Sequence, residues 1–239
     1  MNNLVNFNGL MSFTEDEILD RQYLKAKIIQ GVQNILLECN RGWLFKEIES
    51  TSLIPNEFIN VEYSQEDYFK IDDKLSLKPE TTATSYLYAK YLMTHNSIKP
   101  PLCVFQASKS YRKEQDQVVK HMRLKEFYQL EFQGIYSNGT KNDYQSNIIE
   151  SLAKLVQQVL KLNTRIVLSD RLPSYSLKTI DIEVFNGDKW MEICSVSKRN
   201  DFDEDHTVVE IAFGLDRLLY NFTKTNEVFN VSFENLLTS

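Results

Sequence analysis

Two neighbouring stretches carry side chains that could do chemistry together: Ser110-Tyr-Arg-Lys-Glu114 and Arg123-Leu-Lys-Glu-Phe-Tyr-Gln-Leu-Glu131. An Arg-x-Glu pair, Arg112 and Glu114, leads into a loop, and the loop leads into a strand. Side chains alternate along a strand, so Phe127, Gln129 and Glu131 share one face while Tyr128, Leu130 and Phe132 share the other. The first face sets a ring, an amide and a carboxylate in a row, with the Arg112–Glu114 pair a hairpin away. Such a surface could hold a flat base, a phosphate and an ammonium at once. The second face is apolar and can pack. On these residues alone two blander readings stand beside this one. Arg112 and Glu114 could be a surface ion pair, and Gln129 and Glu131 the solvated face of an edge strand.

Composition narrows the chemistry. Only seven glycines occur, with no GxGxxG and no GxxxxGK[ST], so any ATP must be held by side chains, chiefly arginine. A net charge of -6 excludes a generic polyanion binder; nucleic-acid contact would need a local patch such as Lys109, Arg112, Lys113, Lys120, Arg123 and Lys125. Cys39, Cys103 and Cys194 are far apart and odd in number, which fits reduced thiols better than a disulfide framework or a zinc site. His95, His121 and His206 are scattered, and no Ser/His/Asp or Cys/His constellation is apparent. The N-terminus lacks a basic segment followed by an apolar run, and no window could span a membrane. A cytoplasmic protein without membrane contact is expected.

The elements that must position these residues are legible from periodicity. Thr14-x-x-Glu17 reads as a capping box. Leu24, Ile28, Val32, Ile35 and Cys39 then form a helical stripe, with Gly42 as a stop. Trp43 to Glu49 alternates like a strand and runs to a turn at Pro55. Tyr68–Ile71 and Lys74–Lys78 predict a strand pair around Asp72-Asp73. Pro79-Glu80-Thr81-Thr82 opens a helix through Ala83, Leu87 and Leu92. A strand from Leu102 enters the hairpin, and Asn138-Gly139 marks a turn. Ile148, Leu152, Leu155, Val156 and Val159 predict another helix. Four strand-like runs follow, at 165–168, 179–185, 190–195 and 208–212, with a final helix from about Gly214. Strands broken by a few helices without strict alternation predict an α+β fold, with a mostly antiparallel sheet of about six to eight strands.

Four blocks in order, from about Ile28 to Phe222, resemble the catalytic core of the class II aminoacyl-tRNA synthetases, and most of all glycyl-tRNA synthetase. The helix–strand unit ending Glu-Ile-Glu-Ser-Thr-Ser-Leu-Ile-Pro55 resembles motif 1, which builds that family's dimer interface. Leu77-Lys-Pro-Glu-Thr-Thr82 is similar to its Leu-Arg-Pro-Glu-Thr loop, with Lys78 in place of arginine. That likeness implies that Glu80 contacts the substrate ammonium. The hairpin resembles motif 2. It implies that Arg112 binds the α-phosphate and the attacked carboxylate, Glu114 the adenine amino group and Phe127 the adenine face, with Gln129 and Glu131 in the amino-acid pocket. Asp181-Ile-Glu, Trp190-Met-Glu-Ile and Arg199-Asn-Asp-Phe-Asp203 resemble the glycyl pattern, which implies Mg²⁺ on Glu192 and the substrate carboxylate on Arg199. Glu210-Ile-Ala-Phe-Gly-Leu-Asp-Arg217 is similar to motif 3, Glu-Pro-Ser-Phe-Gly-Leu-Gly-Arg. It implies that Arg217 lies along the adenine and reaches the γ-phosphate, while Glu210 joins a metal or the ammonium.

The resemblance therefore implies an ATP- and Mg²⁺-dependent ligase. It would form an aminoacyl-adenylate, glycine being the nearest choice, and pass it to tRNA or a tRNA-like acceptor. A class II synthetase-like antiparallel sheet flanked by helices, a single catalytic domain over residues 1–239 and a homodimer are expected. The chain ends 22 residues after Arg217, so no anticodon-binding domain is expected. Ala212 stands where the glycyl pattern has serine, and Gln117 where its loop has arginine. Two other readings follow from those departures. One is a synthetase paralogue that hands the adenylate to a carrier protein or small molecule; the other is a non-catalytic dimeric accessory protein that binds nucleic acid.

Overall fold

The computed structural model describes residues 13–113 and 123–223. Glu114, Gln117, Lys120 and His121 lie outside the described residues. The first element, α1 (Glu15–Cys39), begins with the expected capping box: the Thr14 hydroxyl accepts from the Glu17 N–H, and Glu17 accepts from the Thr14 N–H at 2.6 Å. Its buried stripe is Leu24, Ile28, Val32 and Leu36. The i, i+4 ladder thus continues through Leu36, leaving Ile35 and Cys39 half-buried beside it.

The next elements are β1 (Leu44–Glu47), β2 (Leu53–Pro55), β3 (Leu75–Leu77) and α2 (Thr82–His95), followed by the long hairpin strands β4 (Leu102–Tyr111) and β5 (Glu126–Ser137). Then come α3 (Tyr144–Leu160), β6 (Thr164–Leu168), β7 (Ser176–Phe185), β8 (Trp190–Arg199), β9 (His206–Gly214) and α4 (Leu215–Thr223). Seven strands form one sheet in the order β1-β4-β5-β9-β8-β7-β6. Every neighbouring pair is antiparallel except β1 with β4, which makes the sheet mixed.

Two local expectations are corrected. β3 pairs with β2 in a small separate sheet, and Tyr68–Ile71 contributes a single bridge, Lys70 to Ser76, instead of a strand. On α2 the buried side is Thr82, Ser85, Ala89 and Leu92, while Leu87 is exposed, because the polar N-terminal turn of the helix faces the sheet.

The alternation of each strand divides the core. Phe105, Leu130, Phe132, Ile182, Val196, Ile211 and Phe213 pack under α1, α3 and α4. On the opposite face Leu102, Val104, Ile135 and Val208 pack under α2 with Ala89, Leu92 and Phe202. Gly134 lets β5 approach Trp43, since a Cβ there would sit 3.0 Å from the indole and 2.8 Å from Val209. Beyond the N-terminal end of α2 that second face turns polar.

Candidate active site

A cleft of about 250 Å³ opens over this polar part of the sheet. Its floor follows from strand register. Gln106, Glu131, Ala212, Ser195 and Asp181 lie in one row across β4, β5, β9, β8 and β7. The adjacent row is Gln133, Glu210, Ser197 and Thr179. Gln129 and Gly214 lie opposite each other one row the other way. β5 is an interior strand and Glu131 is 1% exposed, so a solvated edge-strand face does not describe this row.

One end of the cleft is acidic. Glu131 accepts from Gln133 Nε2 at 2.5 Å, Thr82 Oγ1 at 3.0 Å and Gln129 Nε2 at 3.1 Å. Gln133 also donates to Glu210 at 2.9 Å, and Thr82 lies 3.3 Å from it. Glu80, at the mouth of α2, accepts from the Tyr63 hydroxyl at 3.1 Å. Burial, reinforced by the charges of Glu210 and Glu80, pushes the Glu131 carboxyl up to about 8. Burial raises Glu80 as well. The neighbouring charges thus disfavour ionisation of Glu131 and Glu80, and an added cation would favour it.

The middle of the cleft is held by Arg112. Its Nε donates to the Pro79 carbonyl at 2.9 Å, tying the hairpin to the loop that carries Glu80. Its guanidinium lies 5.5 Å from the Tyr63 ring and 5.4 Å from the Phe127 ring. The other end of the cleft is lined by Phe127 and the first turn of α4. β5 and β9 are in register up to Gln129 and Gly214, and beyond that point Phe127, Asp216 and Arg217 line the cleft. Arg217 donates to the Glu192 carbonyl at 3.1 Å, and its guanidinium is 3.4 Å from that carboxylate. Glu192 reaches the cleft through a register irregularity between β7 and β8 at Ile182/Glu183. Ile193 and Cys194 both point into the core, and this β-bulge turns Glu192 to the same side as Ser195 and Ser197.

Eight of the sequence-predicted residues line this cleft: Glu80, Arg112, Phe127, Gln129, Glu131, Glu192, Glu210 and Arg217. Arg199 does not. It is 1% exposed, and both edges of its guanidinium are taken, by Asp201 at 2.6 Å and Glu210 at 2.5 Å. The Tyr175 ring covers it at 3.8 Å. Arg199 thus sits behind the acidic wall, engaged by Asp201 and Glu210. Glu210 lies opposite Ser197, and Glu192 is about 15 Å further along β8, whereas two ligands of one ion lie within a few ångströms. Among the described residues no group of three or more His, Cys, Asp or Glu could hold a metal ion. Glu192 alone, half-exposed beside Ser195, offers the kind of oxygen donor that Mg²⁺ takes together with substrate phosphates.

Sequence reasoning assigned no role to Gln133, Thr82, Tyr63, Tyr175 or Asp181, all of which touch or line the site. Period-two alternation beyond Glu131 would have found Gln133. The two tyrosines sit in loops, where no periodic signal exists.

Known proteins place this geometry. The family model for the tRNA synthetases class II core domain (F) matches residues 26–236. A glycine–tRNA ligase of Mycoplasmopsis synoviae is 28% identical over 224 residues, covering 83% of this chain and 47% of its own length. One from Mycoplasma capricolum is 30% identical over 132 residues, covering 53% and 29%. The chain thus spans about half or less of the curated relatives it matches. Pyrrolysyl-tRNA synthetase from Desulfitobacterium hafniense superposes with a TM-score of 0.63 at 20% identity, over 87% of this chain and 71% of that one. Giardia lamblia prolyl-tRNA synthetase in complex with prolyl-adenylate gives 0.68 at 12% identity, over 90% and 48%. At such identities these two establish the fold, and the match to residues 26–236 establishes the family: the chain belongs to the class II tRNA synthetase core-domain family.

Proposed function

We propose that this chain activates an amino acid with ATP, forming an aminoacyl-adenylate that is then transferred to tRNA or a tRNA-like acceptor. Glycine is the first candidate, because the curated relatives are glycine–tRNA ligases. The observation that carries the reading is one cleft lined by three carboxylates, Glu80, Glu131 and Glu210, together with Arg112, Phe127 and Arg217. Glu80, Glu131 and Glu210 take the substrate ammonium, with Gln129 beside them. Arrival of that cation favours the ionised form of Glu131 and expels its proton. Arg112 then faces both the substrate carboxylate and the α-phosphate, and Phe127 and Arg217 take the base.

The reaction is an in-line attack of one anion on another. Its barrier falls when both are held in register and the charge that develops is met by fixed donors. Arg112 and Arg217 do this from two sides as charge-assisted donors, so no protein nucleophile is needed. Glu192 is the residue to hold Mg²⁺, which when bound would neutralise phosphate charge. Arg199 acts through Glu210, holding that carboxylate in place. Glu114, which lies outside the described residues, is the side chain this reading assigns to the adenine amino group. A single catalytic domain working as a homodimer in the cytoplasm completes the reading.

The test is to mix the protein with ATP, Mg²⁺ and all twenty amino acids and look for an aminoacyl-adenylate by mass spectrometry. One adenylate, glycyl first, is expected. None from folded protein would turn the reading towards a non-catalytic nucleic-acid-binding role.

A further inference from the structure

Outside the residues already given a role lies a buried junction of three elements. The β5–β9 ladder ends at Gln129 and Gly214, where β9 gives way to α4. The next N–H on β5, that of Tyr128, would be left without a partner on that side. Asp216 Oδ2 accepts it at 2.8 Å, standing in for the next strand carbonyl. Asp216 Oδ1 meets Arg21 Nη1 of α1 at 3.5 Å, and the two side chains are only 4% and 12% exposed. The Arg21 guanidinium is clamped between two rings, 3.9 Å from Tyr128 and 4.4 Å from Phe13. Burial, relieved in part by the Tyr128 N–H and by Arg21, leaves the Asp216 carboxyl raised to about 6. Tyr128 is the chain neighbour of Phe127, and Asp216 is the chain neighbour of Arg217.

We propose that Asp216, backed by Arg21, is the positioning residue that sets the spacing between Phe127 and Arg217. It thereby sets the fit of an adenine-type base between them. The inference rests on the reading of those two residues as the walls of the base site. The bond is one residue from each wall, so nothing flexible intervenes. The acidic end is insulated from it: Glu131 is four residues along β5 from Phe127, about 13 Å. Loss of the junction loosens the base slot and leaves the ammonium site in place.

The test is calorimetric titration of the full chain with ATP, and with AMP as a probe that lacks the outer phosphates. Amino-acid KM is measured alongside in pyrophosphate exchange. Asp216→Ala weakens both nucleotides by about tenfold and leaves the amino-acid KM within about twofold. Asp216→Asn, whose amide oxygen can still accept the Tyr128 N–H, recovers most of the loss. Arg21→Ala weakens both nucleotides several-fold, and serves in its own right should Asp216→Ala fail to fold. Nucleotide affinity within twofold of wild type in Asp216→Ala or Arg21→Ala overturns the inference. So does a parallel rise in the amino-acid KM, the mark of a general structural loss. Absence of ATP binding by the wild-type protein strikes instead at the functional reading, and with it this inference.

Discussion

Replacing Glu131 by glutamine exchanges function for stability, and the size of the exchange follows from the site. Glu131 is buried between Gln129, Gln133 and Thr82, with Glu210 and Glu80 close by, and its carboxyl is raised from 4.5 to about 8. The folded state therefore holds a proton that the unfolded state gives up above about pH 4.5. Stability from this group is complete below that pH and is lost as pH rises to about 8, at about 1.4 kcal/mol per pH unit. At pH 7 the loss is about 3 kcal/mol. An amide never ionises and so avoids it. Its oxygen can keep the bonds from Gln133 and Thr82, while its NH₂ faces a Gln129 amide that can turn to accept. Glu131→Gln should raise the melting temperature by about 6–12 °C at pH 7, at 2–4 °C per kcal/mol for a chain of this size. The gain should shrink towards pH 5. Activation of the amino acid should fall at least about a hundredfold, because the proposed ammonium site loses one of its three carboxylates. Thermal melts from pH 5 to pH 8, paired with an adenylation assay, measure both. A stability difference that does not change with pH, or a variant less stable than wild type at pH 8, would refute the reasoning.

Other perturbations separate the parts of the site. Arg199→Met should lower stability by about 3–5 kcal/mol, because Glu210 and Asp201 lose a buried partner; a shift in urea midpoint equivalent to under 1 kcal/mol would contradict the tether. Glu192→Gln should raise the Mg²⁺ concentration needed for half-maximal adenylation by roughly tenfold, ~1.4 kcal/mol, without changing the melting temperature by more than about 2 °C; a magnesium titration reads it. Gly134→Ala places a Cβ 2.8 Å from Val209 and 3.0 Å from Trp43, and should cost about 1–3 kcal/mol in urea unfolding.

What the sequence made legible was what periodicity carries. The capping box at Thr14 and Glu17, the stripe through Leu24, Ile28 and Val32, and the alternation of Phe127, Gln129 and Glu131 each depend on residues close in the chain. What it left hidden depends on register between distant strands. Nothing local to Arg199 announces that β9 will place Glu210 against it and that the loop before β7 will lay Tyr175 across it. The bulge that turns Glu192 into the cleft breaks the alternation from which its facing would be read. Parallel pairing of β1 with β4 was equally invisible, since a short strand after a helix can join a sheet edge in either sense. Tyr68–Ile71 has strand composition, yet β3 found a longer partner in β2.

The central claim is that Arg112 and Arg217 act on ATP and an amino acid bound between them. Amino-acid-dependent ATP–pyrophosphate exchange tests it most directly, run across all twenty amino acids with and without total tRNA, on wild type, Arg112→Ala and Arg217→Ala. The account predicts exchange with one amino acid, glycine first, and its loss in both variants while their melting curves stay cooperative. Exchange that survives in either variant, or none at all from folded wild-type protein, would contradict it.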